Sequence, residues 1–325
     1  MRVLVTGAGG FIGSHLTELL LGEGHHVRAL ARYNGRGDPG HLNSVETGLR
    51  SRLEIRFGDV ADPFLARDLV NGCDIVLHLA ALIGIPYSYA APASYVATNT
   101  TGTLNILEAC RQTRIRRVIV TSTSEVYGTA QYTPIKESHP LQGQSPYAAS
   151  KIGADKLAES YFRCFDLPVV ILRPFNTFGP RQSARAVIPT VLAQALGGAG
   201  EIELGNLDAK RDLTFVSDTA RAYLQALEAP GIEGETIHFG RGEAISIGEL
   251  AALCLKVVGS RARIVSAERR LRPEKSEVGL LLCDPRRALA RLGWRPQVSL
   301  ENGIALTAEY LGRHLIDYRA ADYTI

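Results

Sequence analysis

The run Arg2-Val3-Leu4-Val5-Thr6-Gly7-Ala8-Gly9-Gly10-Phe11-Ile12-Gly13 decides the fold. Arg2–Thr6 is apolar and rich in β-branched residues, which predicts a buried strand. Phe11–Leu21 carries a helical pattern. Between them Gly7, Gly10 and Gly13 form a GxxGxxG spacing. A tight turn that excludes Cβ atoms, followed at once by a helix N-terminus, suits close approach of a pyrophosphate. A glycine-rich turn with a purely structural role is the competing reading. The strand before and the helix after favour a dinucleotide, with Gly7, Gly10, Phe11, Ile12 and Gly13 as its contacts.

Outward from this turn, strands and helices alternate. Strands are predicted at Arg2–Thr6, His26–Ala31, Leu53–Phe57, Ile75–Leu79, Arg117–Ser122 and Pro168–Arg173. Helices are predicted at Phe11–Leu21, Phe64–Val70, Asn99–Arg111 and Tyr147–Phe165. This alternation predicts an α/β fold, a Rossmann-type doubly wound parallel sheet with a smaller C-terminal substrate-binding lobe. The expected division is a dinucleotide-binding part over 1–178 and a lobe over 179–325, with 212–240 returning to pack on the main sheet.

The bulk composition narrows the function. The chain has 325 residues, 46% hydrophobic and 21% charged, an ordinary globular balance. A net charge of +3 without a long like-charge run does not point to nucleic acid. Cys73, Cys110, Cys164, Cys254 and Cys283 are scattered without a CxxC pair, so neither a disulfide framework nor a zinc site is predicted, and no metal is expected. The start Met1-Arg2-Val3 is expected to leave no room for a signal peptide, and no apolar run reaches membrane-spanning length. A cytoplasmic location is expected.

Further cofactor contacts are sought at the strand ends. Asp59, in Gly58-Asp59-Val60, is read either as an acceptor for the adenine amino group or as a turn residue. Leu79, Ala80 and Ala81 end the fourth strand, where small residues let a ribose lie on the backbone. His78 and His15 are read as packed histidines rather than catalysts. The second strand ends in Ala31-Arg32-Tyr33-Asn34, without the acidic residue that would bind the ribose 2′-hydroxyl of NAD. Arg32, with Arg36 nearby, suits a 2′-phosphate, so the residues lean towards NADP. A solvated strand-end arginine would leave NAD in place.

The chemistry is expected at the ends of the fifth and sixth strands. Ser145-Pro146-Tyr147 reads as an N-cap and first helical turn, placing Tyr147 and Lys151 four apart on one face. A lysine ammonium there lowers the phenol pKa, so the phenol can take a proton from an alcohol. Thr123, at the C-terminal end of the fifth strand, can hydrogen-bond the reacting hydroxyl. Glu125 is a candidate base for a carbon acid beside a new ketone; a solvated strand-end glutamate is the alternative. After the sixth strand, Pro174 and Phe175 could offer backbone to a nicotinamide carboxamide. Asn176, Arg181, Arg211 and Arg272 are candidates for substrate phosphates.

In this order these motifs resemble the extended short-chain dehydrogenase/reductase superfamily, the NAD-dependent epimerase/dehydratase group. The resemblance covers nearly the whole chain and includes Asn99-Thr100-Thr101-Gly102-Thr103, whose Asn99 joins Val60 among the implied cofactor residues. Thr123-Ser124-Glu125 is similar to the triplet of GDP-mannose 4,6-dehydratases and departs from the Thr-Asp-Glu of dTDP-glucose dehydratases. UDP-glucuronate decarboxylases share the triplet. The loop Leu82-Ile83-Gly84-Ile85-Pro86-Tyr87-Ser88-Tyr89, with Arg181–Ala186 and Arg272–Glu277, resembles legionaminic-acid-pathway 4,6-dehydratases, which act on nucleotide-linked N-acetylglucosamine. The resemblance implies a UDP- or GDP-linked hexose as substrate, Ile83, Pro86 and Val187 among its contacts, a recycled NAD or NADP, Ser124 among the catalytic residues, and a homodimer. A 4-epimerase or decarboxylase is the enzymatic alternative. An NAD(P)-sensing binding module is the non-enzymatic one.

Overall fold

In the computed structural model, which describes residues 1–318, the first strand β1 (Arg2–Thr6) leads through the glycine turn into α1 (Phe11–Gly22). There follow β2 (His26–Arg32), β3 (Leu53–Gly58), α2 (Pro63–Val70) and β4 (Ile75–His78). Two short helices, α3 (Ile85–Ala90) and α4 (Pro92–Tyr95), precede a single π turn at Val96–Thr101 and then α5 (Gly102–Thr113). Next come β5 (Arg117–Thr121), α6 (Pro146–Phe165) and β6 (Val169–Pro174). The helix expected over Asn99–Arg111 thus begins inside the π turn.

The main sheet is parallel and seven-stranded. From one edge it runs β3, β2, β1, β4, β5, β6 and finally a strand at Thr236–Phe239. The strand order reverses between β1 and β4, so the crevice at their carboxyl ends is where such a sheet receives a ligand. Both faces are covered. Leu16, Leu20 and Tyr223 pack on one side, and Ile106, Leu107 and Ala158 on the other. β1, β4, β5 and β6 are buried along nearly their whole length and read as apolar runs, whereas the edge strand β3 is partly buried and alternates apolar and polar residues; both patterns are legible to within about a residue at each end.

The remainder of the chain crosses between two bodies. A small strand β7 (Asn176–Phe178), α7 (Val187–Leu196), β8 (Glu201–Leu204) and β9 (Lys210–Phe215) lie in the lobe. Then α8 (Val216–Glu228) packs against α1, and β10 (Thr236–Phe239) is the edge strand of the main sheet. The return therefore starts at Val216; Asp212 belongs to β9. The lobe continues with β11 (Ala244–Ser246), α9 (Ile247–Val258), β12 (Arg263–Ser266) and β13 (Leu280–Leu281). It is followed by α10 (Arg286–Leu292), which packs on β10 and α8, and by α11 (Leu300–Arg313), which packs on α7 and α9. β11, β9 and β13 form one small sheet that β7 joins, and β8 and β12 form another. β7 begins two residues after β6 ends, so one short segment ties the two bodies at the mouth of the crevice. Among the described residues, no helix is long and apolar enough to cross a membrane.

Candidate active site

The glycine turn has the geometry that its spacing implies. Gly7 has φ +71°, and a Cβ there would come within 2.9 Å of the Ala80 amide nitrogen. A Cβ on Gly13 would stand 2.2 Å from the Gly7 carbonyl oxygen, so only glycine lets α1 close onto the turn. Gly10 is the N-cap of α1 and offers no side-chain cap, leaving the first helical amides, those of Phe11 and Ile12, without a capping side chain. Uncapped amides beside a backbone without Cβ atoms fit a diphosphate.

The strand ends around this turn are held by Thr6. Its hydroxyl oxygen accepts from the Leu79 and Ala80 amides, both at 3.1 Å, and meets His78 Nδ1 at 2.8 Å. His78 Nε2 meets the Thr103 hydroxyl at 3.1 Å. Burial, with Lys151 nearby, pushes this histidine down to about 3, so it is a neutral packed residue. His15 is likewise structural, bonded to the Pro180 carbonyl at 3.0 Å.

Arg32 is exposed at the end of β2, and its guanidinium has no polar partner among the described residues. The loop after it folds back onto the glycine turn, with the His41 amide donating to the Gly9 carbonyl at 3.1 Å, a contact the sequence does not announce. Asp59 is exposed, and its carboxylate accepts from the Ala61 amide at 2.9 Å, as a turn residue does. Val60 is buried beside it, and Asn105 donates to the Val60 and Ala61 carbonyls, both at 3.0 Å. Asn105 carried no sequence signal.

The Asn99 side-chain oxygen accepts from the Leu82 amide at 2.8 Å, and its nitrogen donates to the Leu82 carbonyl at 2.9 Å and to the Ser150 hydroxyl at 3.0 Å. Fully buried, this carboxamide clamps the loop after β4 to α6. Ile83, in that loop, is exposed, Ala81 and Pro86 are half-buried, and Val187 opens α7.

Ser145 caps α6 through the Ala148 amide at 3.1 Å, with Pro146 in the first turn. This brings Tyr147, nearly buried, to Thr123 and Glu125. The approach of Glu125 comes from a turn. β5 ends at Thr121, Thr123 is extended, and Ser124–Tyr127 winds into a 3₁₀ turn with the Thr123 hydroxyl accepting from the Glu125 amide at 3.3 Å. Ser124 is buried within that turn. Burial raises the Tyr147 phenol well above its usual range; the Thr123 hydrogen bond opposes this, and Glu125 adds to it. Lys151 is buried and donates to the Thr121 carbonyl at 2.6 Å, and burial lowers its pKa. The chain alone thus keeps Tyr147 protonated, contrary to the lowered phenol expected from the Tyr–Lys spacing. Tyr95 packs edge-on against Tyr147 with centroids 6.2 Å apart, a neighbour that the sequence gave no reason to single out.

Across the crevice stand the lobe's arginines. Arg211 feels Glu125 and Arg272 and donates to Glu277 at 3.2 Å. Among the described residues, Arg272 keeps a buried Nη1 without a partner, and Asn176 keeps a buried Oδ1 without one. Unsatisfied buried polar atoms are costly and are found where a ligand completes the bonding. Arg181 does not join them. Its guanidinium is paired with both carboxylate oxygens of Glu18 at 2.8 and 2.9 Å and donates to Ser14 at 3.2 Å. That pair neutralises it on the flank of α1, so it is not a free phosphate ligand. Phe175 is also spent on the fold: its amide donates to the Phe239 carbonyl at 3.0 Å and its ring packs on Tyr127 and His238. Pro174 ends β6, paired in register with Phe239.

The comparisons agree with this geometry. A family model described as GDP-mannose 4,6 dehydratase matches residues 4–307. A dTDP-glucose 4,6-dehydratase of an Actinoplanes species is 35% identical over 315 residues, covering 95% of this chain and 97% of that protein. The solved dTDP-glucose 4,6-dehydratase DesIV of Streptomyces venezuelae, with NAD bound, superposes with a TM-score of 0.89 at 31% identity, over 99% of this chain and 100% of that one. The UDP-glucuronic acid 4-epimerase of Bacillus cereus, in complex with UDP-glucuronic acid and NAD, gives 0.88 at 31% identity, over 97% and 100%. Dehydratases and epimerases thus stand side by side among its relatives. The chain belongs to the NAD-dependent epimerase/dehydratase family of extended short-chain dehydrogenases/reductases.

Proposed function

We propose that this protein is a nucleotide-sugar 4,6-dehydratase that turns a UDP- or GDP-linked hexose, N-acetylglucosamine first among the candidates, into a 4-keto-6-deoxy sugar. The observation that carries the reading is the place of Glu125, a second acid–base group beside Tyr147 on the side facing Arg211. A reversible alcohol oxidation alone has no use for it. NAD(P), held by the glycine turn and the ends of β2 and β4, supplies a hydride acceptor that is restored within each turnover.

The chain's own residues do the proton work. Tyr147 takes the proton of the sugar 4-hydroxyl, with the Thr123 hydroxyl on the same oxygen and Lys151 supplying positive charge. The resulting 4-ketone acidifies the C5 proton, which Glu125 removes. The C6 hydroxyl leaves as water, with Ser124, Glu125 or an ordered water delivering its proton, and C5 takes up a proton again as the hydride is returned to C6. Arg211 and Arg272 meet the diphosphate, and Asn176 offers its unpaired oxygen to a substrate donor.

The test is mass spectrometry of products formed from a panel of UDP- and GDP-sugars. Loss of water from one of them supports the proposal. Loss of carbon dioxide from a uronic acid would instead make it a decarboxylase, an unchanged mass a 4-epimerase, and binding of NAD(P) without any product a sensor.

Two expectations accompany this reading. Arg32, exposed and unpaired among the described residues, should meet a 2′-phosphate, so Arg32→Asp should shift preference from NADP towards NAD; fluorescence titration with both dinucleotides checks this, and equal ratios before and after would make Arg32 a solvated residue. The homodimer is proposed to form through α5 and α6, where Leu104 and Phe165 are exposed and Arg111 lies 5.1 Å over the Phe165 ring. Light scattering should give twice the chain mass of 35.2 kDa, and a monomer would refute the contact.

A further inference from the structure

Behind the Tyr147 site lies a buried polar cluster that the mechanism does not use. Asp155 is fully buried on α6, one turn beyond Lys151 on the same face. Its Oδ2 accepts from the Ser122 hydroxyl and from Arg173 Nη2, both at 2.7 Å. Arg173, on β6 and also buried, donates through Nε to the Ser122 hydroxyl at 3.2 Å and through Nη1 to the Tyr127 hydroxyl at 2.6 Å. Ser122 sits between Thr121, whose carbonyl receives the Lys151 ammonium, and Thr123, which faces Tyr147. The other oxygen of Asp155 has no hydrogen-bond partner among the described residues.

We propose that Asp155 is a positioning residue: a buried carboxylate paired with Arg173 and one helical turn from Lys151, which through Ser122 fixes the end of β5 against α6 and balances the charge around the Lys151 ammonium. This rests on the Tyr147–Lys151 reading above. A buried ammonium whose single hydrogen-bond partner is a neutral carbonyl needs a nearby counter-charge to stay ionised. Burial lowers Lys151, Asp155 opposes that, and Arg173 adds to it. The other titratable neighbours do not supply charge. His78 on β4 is neutral, and Tyr223 on α8 is a protonated phenol donating to the Thr121 hydroxyl at 2.9 Å. Two cations against one carboxylate leave net positive charge next to Tyr147, which is what a phenolate requires.

The cluster predicts opposite effects for its two charges. The chain has six lysines, at 136, 151, 156, 210, 256 and 275, so side-chain NMR of isotope-labelled lysine can follow Lys151 alone, assigned with Lys151→Arg. Arg173→Met frees Asp155 for Lys151, and the Lys151 midpoint should rise by about one pH unit, tenfold in its protonation equilibrium. Asp155→Asn should lower it by a similar amount. The alkaline limb of the rate of substrate-driven nicotinamide reduction should move in step with the midpoint, with KM little changed. Where Asp155→Asn fails to fold, Asp155→Ser removes the same negative charge and should lower the midpoint in the same direction. A midpoint that stays put in the folded variants, or one that moves without moving the rate profile, overturns the proposal. Full turnover in Tyr147→Phe would instead overturn the underlying reading and leave the lysine titration intact.

Discussion

Glu125→Gln lowers product formation by about a hundredfold to ten-thousandfold, the cost of losing a positioned acid–base group. Glutamine keeps the shape of the side chain and cannot take a proton from C5. The first half of the reaction remains, because Tyr147, Thr123 and Lys151 are untouched. Mixing the variant with substrate therefore gives the near-ultraviolet absorbance of reduced nicotinamide, which persists instead of decaying. Glu125 is also a counter-charge for Arg211, which keeps Glu277 as its hydrogen-bonded partner at 3.2 Å. Some loss of substrate affinity is expected from this, and calorimetric binding separates it from the loss in turnover. A variant that turns over at the wild-type rate would make Glu125 a charge partner of Arg211 and nothing more.

Tyr147→Phe removes the other acid–base group and is expected to cost about a hundredfold to ten-thousandfold, but at an earlier step. No reduced nicotinamide should appear at all, which distinguishes it from Glu125→Gln. The ring stays packed against Tyr95, so the fold and substrate binding should change little. The wild-type pH dependence follows from the same phenol. Its pKa is raised by burial, so the phenolate fraction, and with it the rate of nicotinamide reduction, should climb as pH rises through neutrality. The rise should end where Lys151, whose pKa is lowered, gives up its proton.

The parts of the molecule that the sequence made legible are those specified locally. β1, β4, β5 and β6 are apolar runs, β3 alternates apolar and polar residues, the Gly7–Gly13 turn is a spacing of three glycines, and Ser145 and Pro146 announce α6 by capping. β10 was harder to see because Thr236-Ile237-His238-Phe239 is short and polar at alternate positions, and its histidine is stabilised by Tyr127, 111 residues away. The same limit applies at the site. Arg181 reads as a phosphate ligand until Glu18, 163 residues distant, is found paired with it. The bonds of the Asn99 carboxamide to Leu82 and Ser150 likewise have no local signature. Thr123 and Glu125 lie beyond the end of β5 at Thr121, and a 3₁₀ turn brings them together. In each case a partner far along the chain, or a change of backbone conformation within two residues, decides the outcome, and no local spacing encodes it.

The most direct test of the central claim is turnover in deuterated water with the nucleotide sugar that the panel identifies, followed by mass and NMR analysis of the product. Glu125 taking the C5 proton predicts a 4-keto-6-deoxy sugar that has lost one water and carries solvent deuterium at C5. A product of unchanged mass, inverted at C4 and free of deuterium, would contradict the account and assign the protein to the epimerases.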